Sequence, residues 1–180
     1  MDGGGARSAR PGEAEFRAQF EAHADHVYAF LRRLCADPAL ADDLFQETWC
    51  SCARAWPRLD RSRSLRPWLL TAARNHWRMH RRWAWVDLSR WFVAEPREEG
   101  ADEAAGPEGQ VIASEAVRGL ERAIRRLGDR DREVMLLAMD ESLTADERAR
   151  VLATSEAAYR QRLHRARRAL ERLLAEEEDR

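Results

Sequence analysis

The sequence predicts an all-α protein: two small helical domains joined by a flexible acidic linker, the second containing a helix-turn-helix. Three observations predict it. Apolar residues recur at helical spacing through both halves of the 180-residue chain. An interval rich in acids, Pro and Gly separates the halves, and near the C-terminus two helical patterns meet at a tight turn. The expected divisions are a disordered lead-in at 1–13, a first domain at 14–93, the linker at 94–114 and a second domain at 115–176.

Charge is nearly balanced overall but segregated along the chain. The formal net charge is −1, yet from Arg54 to Arg90 there are ten Arg against two acids, Asp60 and Asp87. Every basic residue counted under Lys+Arg is Arg, and all seven Trp lie between Trp49 and Trp91. Cys35, Cys50 and Cys52 are odd in number and lack framework spacing, which points to a reducing compartment and away from a metal or disulfide role. No apolar run reaches the length of a membrane span and no signal-peptide core is present, so a cytoplasmic protein without membrane insertion is expected.

Helical order is expected from near Glu15, after the Gly- and Arg-rich start. Phe16, Phe20, Val27, Phe30, Leu31 and Leu34 mark one apolar stripe ending near Cys35. Asp37 then caps a second helix that has Pro38 in its first position, and Leu40, Leu44, Thr48 and Cys52 face inward. The start of this helix is acidic, with Asp37, Asp42, Asp43 and Glu47 before the first base, Arg54. Those acids either complement the helix dipole or form a docking face for a basic partner. Pro57 stops the helix.

The stretch from Ser64 to Trp91 organises the chain. Ser64 is the expected N-cap, Pro67 fits the first turn, and Leu65, Leu69, Ala72, Ala73 and His76 form one face. The opposite face is expected to present Arg66, Arg74, Asn75, Arg78, Arg81 and Arg82 to solvent or a ligand. Arginine forks suit phosphates, Asn can read a base edge, and flat indoles suit unpaired bases. The alternative is a solvated helix face beside a Trp-filled core.

The linker EPREEGADEAAGPEGQ carries six acids against Arg97 and is extended by self-repulsion. Beyond it Val117, Leu120, Ile124 and Leu127 mark a helix; Val134, Leu137 and Ala138 mark a shorter one after Gly128. Thr144 to Glu147 is a capping box that opens another helix through Leu152. Ala153-Thr154 makes the turn, and Ser155 caps a last helix lined by Tyr159, Leu163, Ala166, Leu170 and Leu173. Between Ala157 and Leu174 that helix has six Arg against one Glu, either a basic tail or a reader of the major groove.

Three blocks, in order, resemble the extracytoplasmic-function (ECF) sigma factors of bacterial RNA polymerase. DPALADDLFQETW is similar to the family's D-D-L-x-Q-E segment, and SLRPWLLTAARNHWRMHRR to its F-R-x-W-L-x-x-I-A-R-N block. The segment ending RLHRARRAL is similar to its final helix-turn-helix. The resemblance implies that Asp42, Asp43, Leu44, Gln46 and Glu47 dock on core RNA polymerase. It implies that Arg63, Arg66, Trp68, Thr71, Arg74, Asn75 and Arg78 capture and melt the minus-ten element of promoter DNA. It further implies that Arg160, Gln161, His164 and Arg165 read the minus-thirty-five element, that no cofactor is used, and that an anti-sigma factor is a partner. The linker would let the two domains pack together in the unbound chain and hide both DNA surfaces.

Departures from the family pattern are specific. Arg148 stands where an apolar residue is usual and must snorkel or pair. Ala153 and Thr154 replace Gly and an aliphatic in the turn, and Gly128 replaces a common proline. His76 and His80 have zinc-like spacing but neither the catalytic Glu nor a third ligand of a metalloenzyme. The competing reading is a two-domain helix-turn-helix regulator that binds duplex DNA without polymerase.

Overall fold

The computed structural model describes residues 12–35, 37–91 and 115–178. The elements are α1 (Glu13–Leu34), α2 (Pro38–Ala55), a single 3-10 turn at Trp56–Arg58, α3 (Arg66–Trp91), α4 (Glu115–Arg126), α5 (Asp129–Ala138), α6 (Ala145–Val151) and α7 (Glu156–Glu178). Most of the expected lead-in and all of the expected linker lie outside the described residues.

Local chemistry sets three of the helix starts. The Asp37 carboxylate accepts the Ala39 amide at 2.9 Å, which anchors α2 with Pro38 behind its cap. Thr144 and Glu147 form the reciprocal capping box of α6, and the Ser155 hydroxyl accepts the Ala158 amide at the start of α7. At α3 the cap position falls one residue later than Ser64. The Leu65 carbonyl accepts the Leu69 amide at 3.0 Å, so Arg66 and Pro67 take the first two helical places. Pro67 lacks a donor that those positions leave unused anyway.

Helices α1, α2 and α3 pack on one another through Val27, Leu31, Leu34, Leu44, Cys52, Leu69, Leu70 and Ala73, all buried. Two of the tryptophans, Trp49 and Trp77, belong to this core. Phe16 and Phe20 meet Trp49 edge-on or tilted, with centroids 6.0 and 4.7 Å apart. The Trp-filled core therefore accounts for part of the indole content, and Trp83, 64% exposed, is the contrasting case. The side chains of Trp85 and Trp91 lie outside the described set. Burial pushes the Cys35 thiol up to about 12 and the Cys52 thiol to about 11, while Cys50 is exposed.

Helices α4 to α7 form the second cluster, with α7 packed on α4, α5 and α6. Ile124, Leu127, Val134, Leu137, Val151, Tyr159 and Ala166 fill its centre. Arg148 resolves its apolar position by pairing: its guanidinium donates to the Asp140 carbonyl at 2.7 Å. Ala153 takes the left-handed conformation, φ 51°, where the resemblance expects glycine.

The two clusters are packed together. α5 and α4 touch α1, and α6 touches α3. Arg132 stitches the junction by donating to Leu34 O of α1 at 3.3 Å and to Leu127 O after α4 at 2.9 Å, carbonyls that helix ends leave without intrahelical partners.

Candidate nucleic-acid interface

The expected solvent-facing row on α3 is only partly free. Arg74 is buried: its Nε lies 2.9 Å from Glu133 Oε2, and Nη1 donates to Val151 O at 3.2 Å. Arg78 Nε holds the other Glu133 oxygen at 2.9 Å, Arg81 Nη2 lies 2.9 Å from Asp129 Oδ2, and Arg66 Nε lies 3.0 Å from Asp140 Oδ2. Arg66 also donates to the Ser142 hydroxyl at 2.6 Å. These arginines reach from α3 toward α5 and the turn after it; burial of Arg74 and near-burial of Arg66 are tolerated because each meets a carboxylate, while Arg78 and Arg81 pair with theirs at a partly exposed edge.

The neighbouring side of α3 remains open. Asn75, Met79, Arg82 and Trp83 are exposed, and Trp68 and Thr71 are half-buried. The Thr71 hydroxyl donates to Pro67 O at 2.7 Å, so its proton is committed to the helix backbone. Ahead of α3 the loop is set by Asp60, which accepts the Ser62 amide and hydroxyl at 3.1 and 2.6 Å and pairs with exposed Arg63 at 3.1 Å. Those Ser62 hydrogen bonds hold the Asp60 carboxyl below the usual carboxylate range.

On α2, Asp42, Asp43, Gln46 and Glu47 are exposed, and the Asp42 carboxylate accepts the Tyr28 hydroxyl at 2.9 Å. Leu44 takes the inward place that its helical spacing predicts and is not part of the exposed acidic face that the resemblance assigns to docking. It is 2% exposed, because its position in the helical repeat points it at the core. His76 bridges α3 to α2, with Nδ1 3.2 Å from Glu47 Oε2 and Nε2 3.0 Å from the Ser51 hydroxyl. A histidine held on both ring nitrogens is a structural link rather than a nucleic-acid contact.

The helix-turn-helix is formed by α6 and α7. Arg160, Gln161, His164 and Arg165 are all exposed on α7, and Arg160 pairs with Glu156 one turn earlier. Packing of the clusters thus buries Arg74, engages Arg66, Arg78 and Arg81 in ion pairs and leaves the α7 face open, so one of the two surfaces expected to meet DNA is engaged rather than both. Sequence reasoning missed Asp129, Glu133 and Asp140 as partners. The available signal was Glu133 itself, a carboxylate one turn before buried Leu137 and therefore on an apolar side.

Comparison with known proteins matches two segments of the chain to named regions. The family described as Sigma-70 region 2 matches residues 19–86, and the one described as Sigma-70, region 4 matches residues 118–170. The RNA polymerase sigma factor CarQ of Myxococcus xanthus is 31% identical over 164 residues, 89% of this chain and 90% of that protein. The ECF RNA polymerase sigma factor SigL of Mycobacterium tuberculosis is 32% identical over 91% of this chain and 90% of its own. Among solved structures, the sigma factor RpoE in complex with the anti-sigma factor NepR from Bartonella quintana is similar in fold. Its TM-score is 0.71 at 19% identity, covering 89% of this chain and 97% of that one. With relatives matched over nine-tenths of their length, the chain belongs to the ECF RNA polymerase sigma factors.

Proposed function

We propose that the chain binds core RNA polymerase through α2 and directs it to a set of promoters, which it recognises and opens. The observation that carries this reading is the conjunction on adjacent helices of an exposed acidic face, Asp42, Asp43, Gln46 and Glu47, and an arginine row backed by Asn75 and Trp68. The acids meet basic residues of the polymerase. Residues 14–93 act as the docking and minus-ten domain and 115–176 as the minus-thirty-five domain, with 94–114 as the tether between them.

In that scheme Arg63, Arg66, Arg74 and Arg78 hold backbone phosphates while Trp68, Thr71 and Asn75 meet bases released from the duplex. Extruding a base costs a few kcal/mol, which stacking and phosphate contacts offset. Arg160, Gln161, His164 and Arg165 enter the major groove of the upstream element. The protein works as a cytoplasmic initiation factor and not as an enzyme, with an anti-sigma protein as a controlling partner. Among the described residues no helix is long and apolar enough to cross a membrane.

One observation favours a second reading. The α7 face is exposed in the packed chain, so a polymerase-independent regulator could meet duplex DNA without rearrangement. Promoter-duplex binding with and without core polymerase separates the two. Specific binding only with core supports the sigma reading; tight, specific binding by the chain alone supports the regulator.

A further inference from the structure

Carboxylates engage the arginine row of α3 in a definite order. Along the helix, Arg66 meets Asp140, Arg74 and Arg78 share Glu133, and Arg81 meets Asp129, with nitrogen–oxygen distances of 2.9 to 3.0 Å. The acids come from α5 and the turn just after it. To a guanidinium fork, a carboxylate and a phosphodiester offer the same thing, a pair of anionic oxygens that accept parallel N–H groups. Glu133 is the informative member. It is nearly fully buried and next in sequence to the core residue Val134, so it contributes nothing to solubility, and two arginines offset its removal from water.

We propose that Asp129, Glu133 and Asp140 stand where backbone phosphates of the promoter strand bind. On this assignment α3 carries a phosphate track from Arg66 to Arg81, Arg81 is a further binding residue, and α5 and DNA are mutually exclusive ligands of the track. The proposal rests on the DNA-binding reading of α3. The acidic face of α2 is exposed in the packed chain, so this closure leaves the proposed docking face uncovered.

The test uses the full chain with fluorophores on Cys50, exposed where Cys35 and Cys52 are buried, and on an Ala175→Cys substitution in α7. Separation between the labels is followed while a single-stranded promoter oligonucleotide is added. Binding is expected to increase the separation. Asp129→Asn, a change at a half-exposed position, is expected to lower the half-opening concentration several-fold, as is Glu133→Gln where it folds. Arg81→Ala is expected to weaken binding several-fold and to reduce the salt slope by about one. Oligonucleotide binding at unchanged separation overturns the proposal, as does a half-opening concentration indifferent to both acid substitutions. A chain that starts RNA synthesis with core polymerase yet binds the strand while closed contradicts the phosphate track alone. One that opens on DNA but never starts synthesis contradicts the sigma reading alone.

Discussion

Arg74 and Glu133, 59 residues apart, share an ion pair closed to water, with Nε 2.9 Å from Oε2 and the two side chains 4% and 3% exposed. It joins the helix that the family resemblance assigns to promoter opening to a helix of the second cluster. The pair is therefore the centre of the closed arrangement.

Removing one member of a buried pair strands the other, at a cost of about 3 kcal/mol. Glu133→Ala is expected to destabilise the packed chain by that amount, because Arg74 then has only the Val151 carbonyl. Arg74→Ala is expected to cost less, since Glu133 keeps Arg78. Urea unfolding of both variants and the double variant checks this. The double variant should lose less than the sum of the singles, and strict additivity would contradict the pairing.

Asp43 is exposed on α2 and takes no part in the core. Asp43→Arg is expected to leave the melting temperature within a few degrees while weakening capture by core polymerase about tenfold or more, through charge reversal at the docking face. Equal affinity in a pull-down titration would remove α2 from the interface.

Ala153 holds φ 51° in the turn of the helix-turn-helix. A Cβ in the left-handed region costs about 1 kcal/mol, which glycine avoids. Ala153→Gly is expected to raise stability by up to about 1 kcal/mol in thermal unfolding, without altering the exposed face of α7.

His23 is half-buried near the junction. Desolvation, then the charges of Arg66 and His26, hold its pKa below the usual 6.5, while Asp140 acts in the opposite sense. The unfolded chain therefore takes up this proton at a higher pH than the folded one. The stability His23 contributes is complete above pH 6.5 and is lost as pH falls through its lowered folded value. Melting temperature is expected to drop between pH 7.5 and 5.5, with a shallower drop in His23→Gln. An identical pH profile in that variant would exclude His23 as the source.

Local patterns carried much of the fold. Val27, Phe30, Leu31 and Leu34 announce their helix by spacing alone, and Asp37 and the Thr144–Glu147 box announce helix starts by hydrogen-bond chemistry confined to a few residues. The exposure of the α2 acids was legible for the same reason: a run of carboxylates on the polar side of an amphipathic helix needs no distant information. What the spacing of α3 could not reveal is which cationic side would be covered. Arg74 and Asn75 are adjacent and both polar, yet one is buried and the other exposed. Only the carboxylates of α5, brought there by tertiary packing, decide between them. Leu44 shows the converse: a motif match placed it among contact residues, whereas helical phase puts it in the core.

The most direct test of the central claim is transcription in vitro by core polymerase on a promoter library, with and without the purified chain. RNA synthesis is expected to start at a defined subset of promoters only when the chain is present, and to fail with Asp43→Arg. Failure to direct initiation on any template, under conditions where core polymerase itself is active, would contradict it.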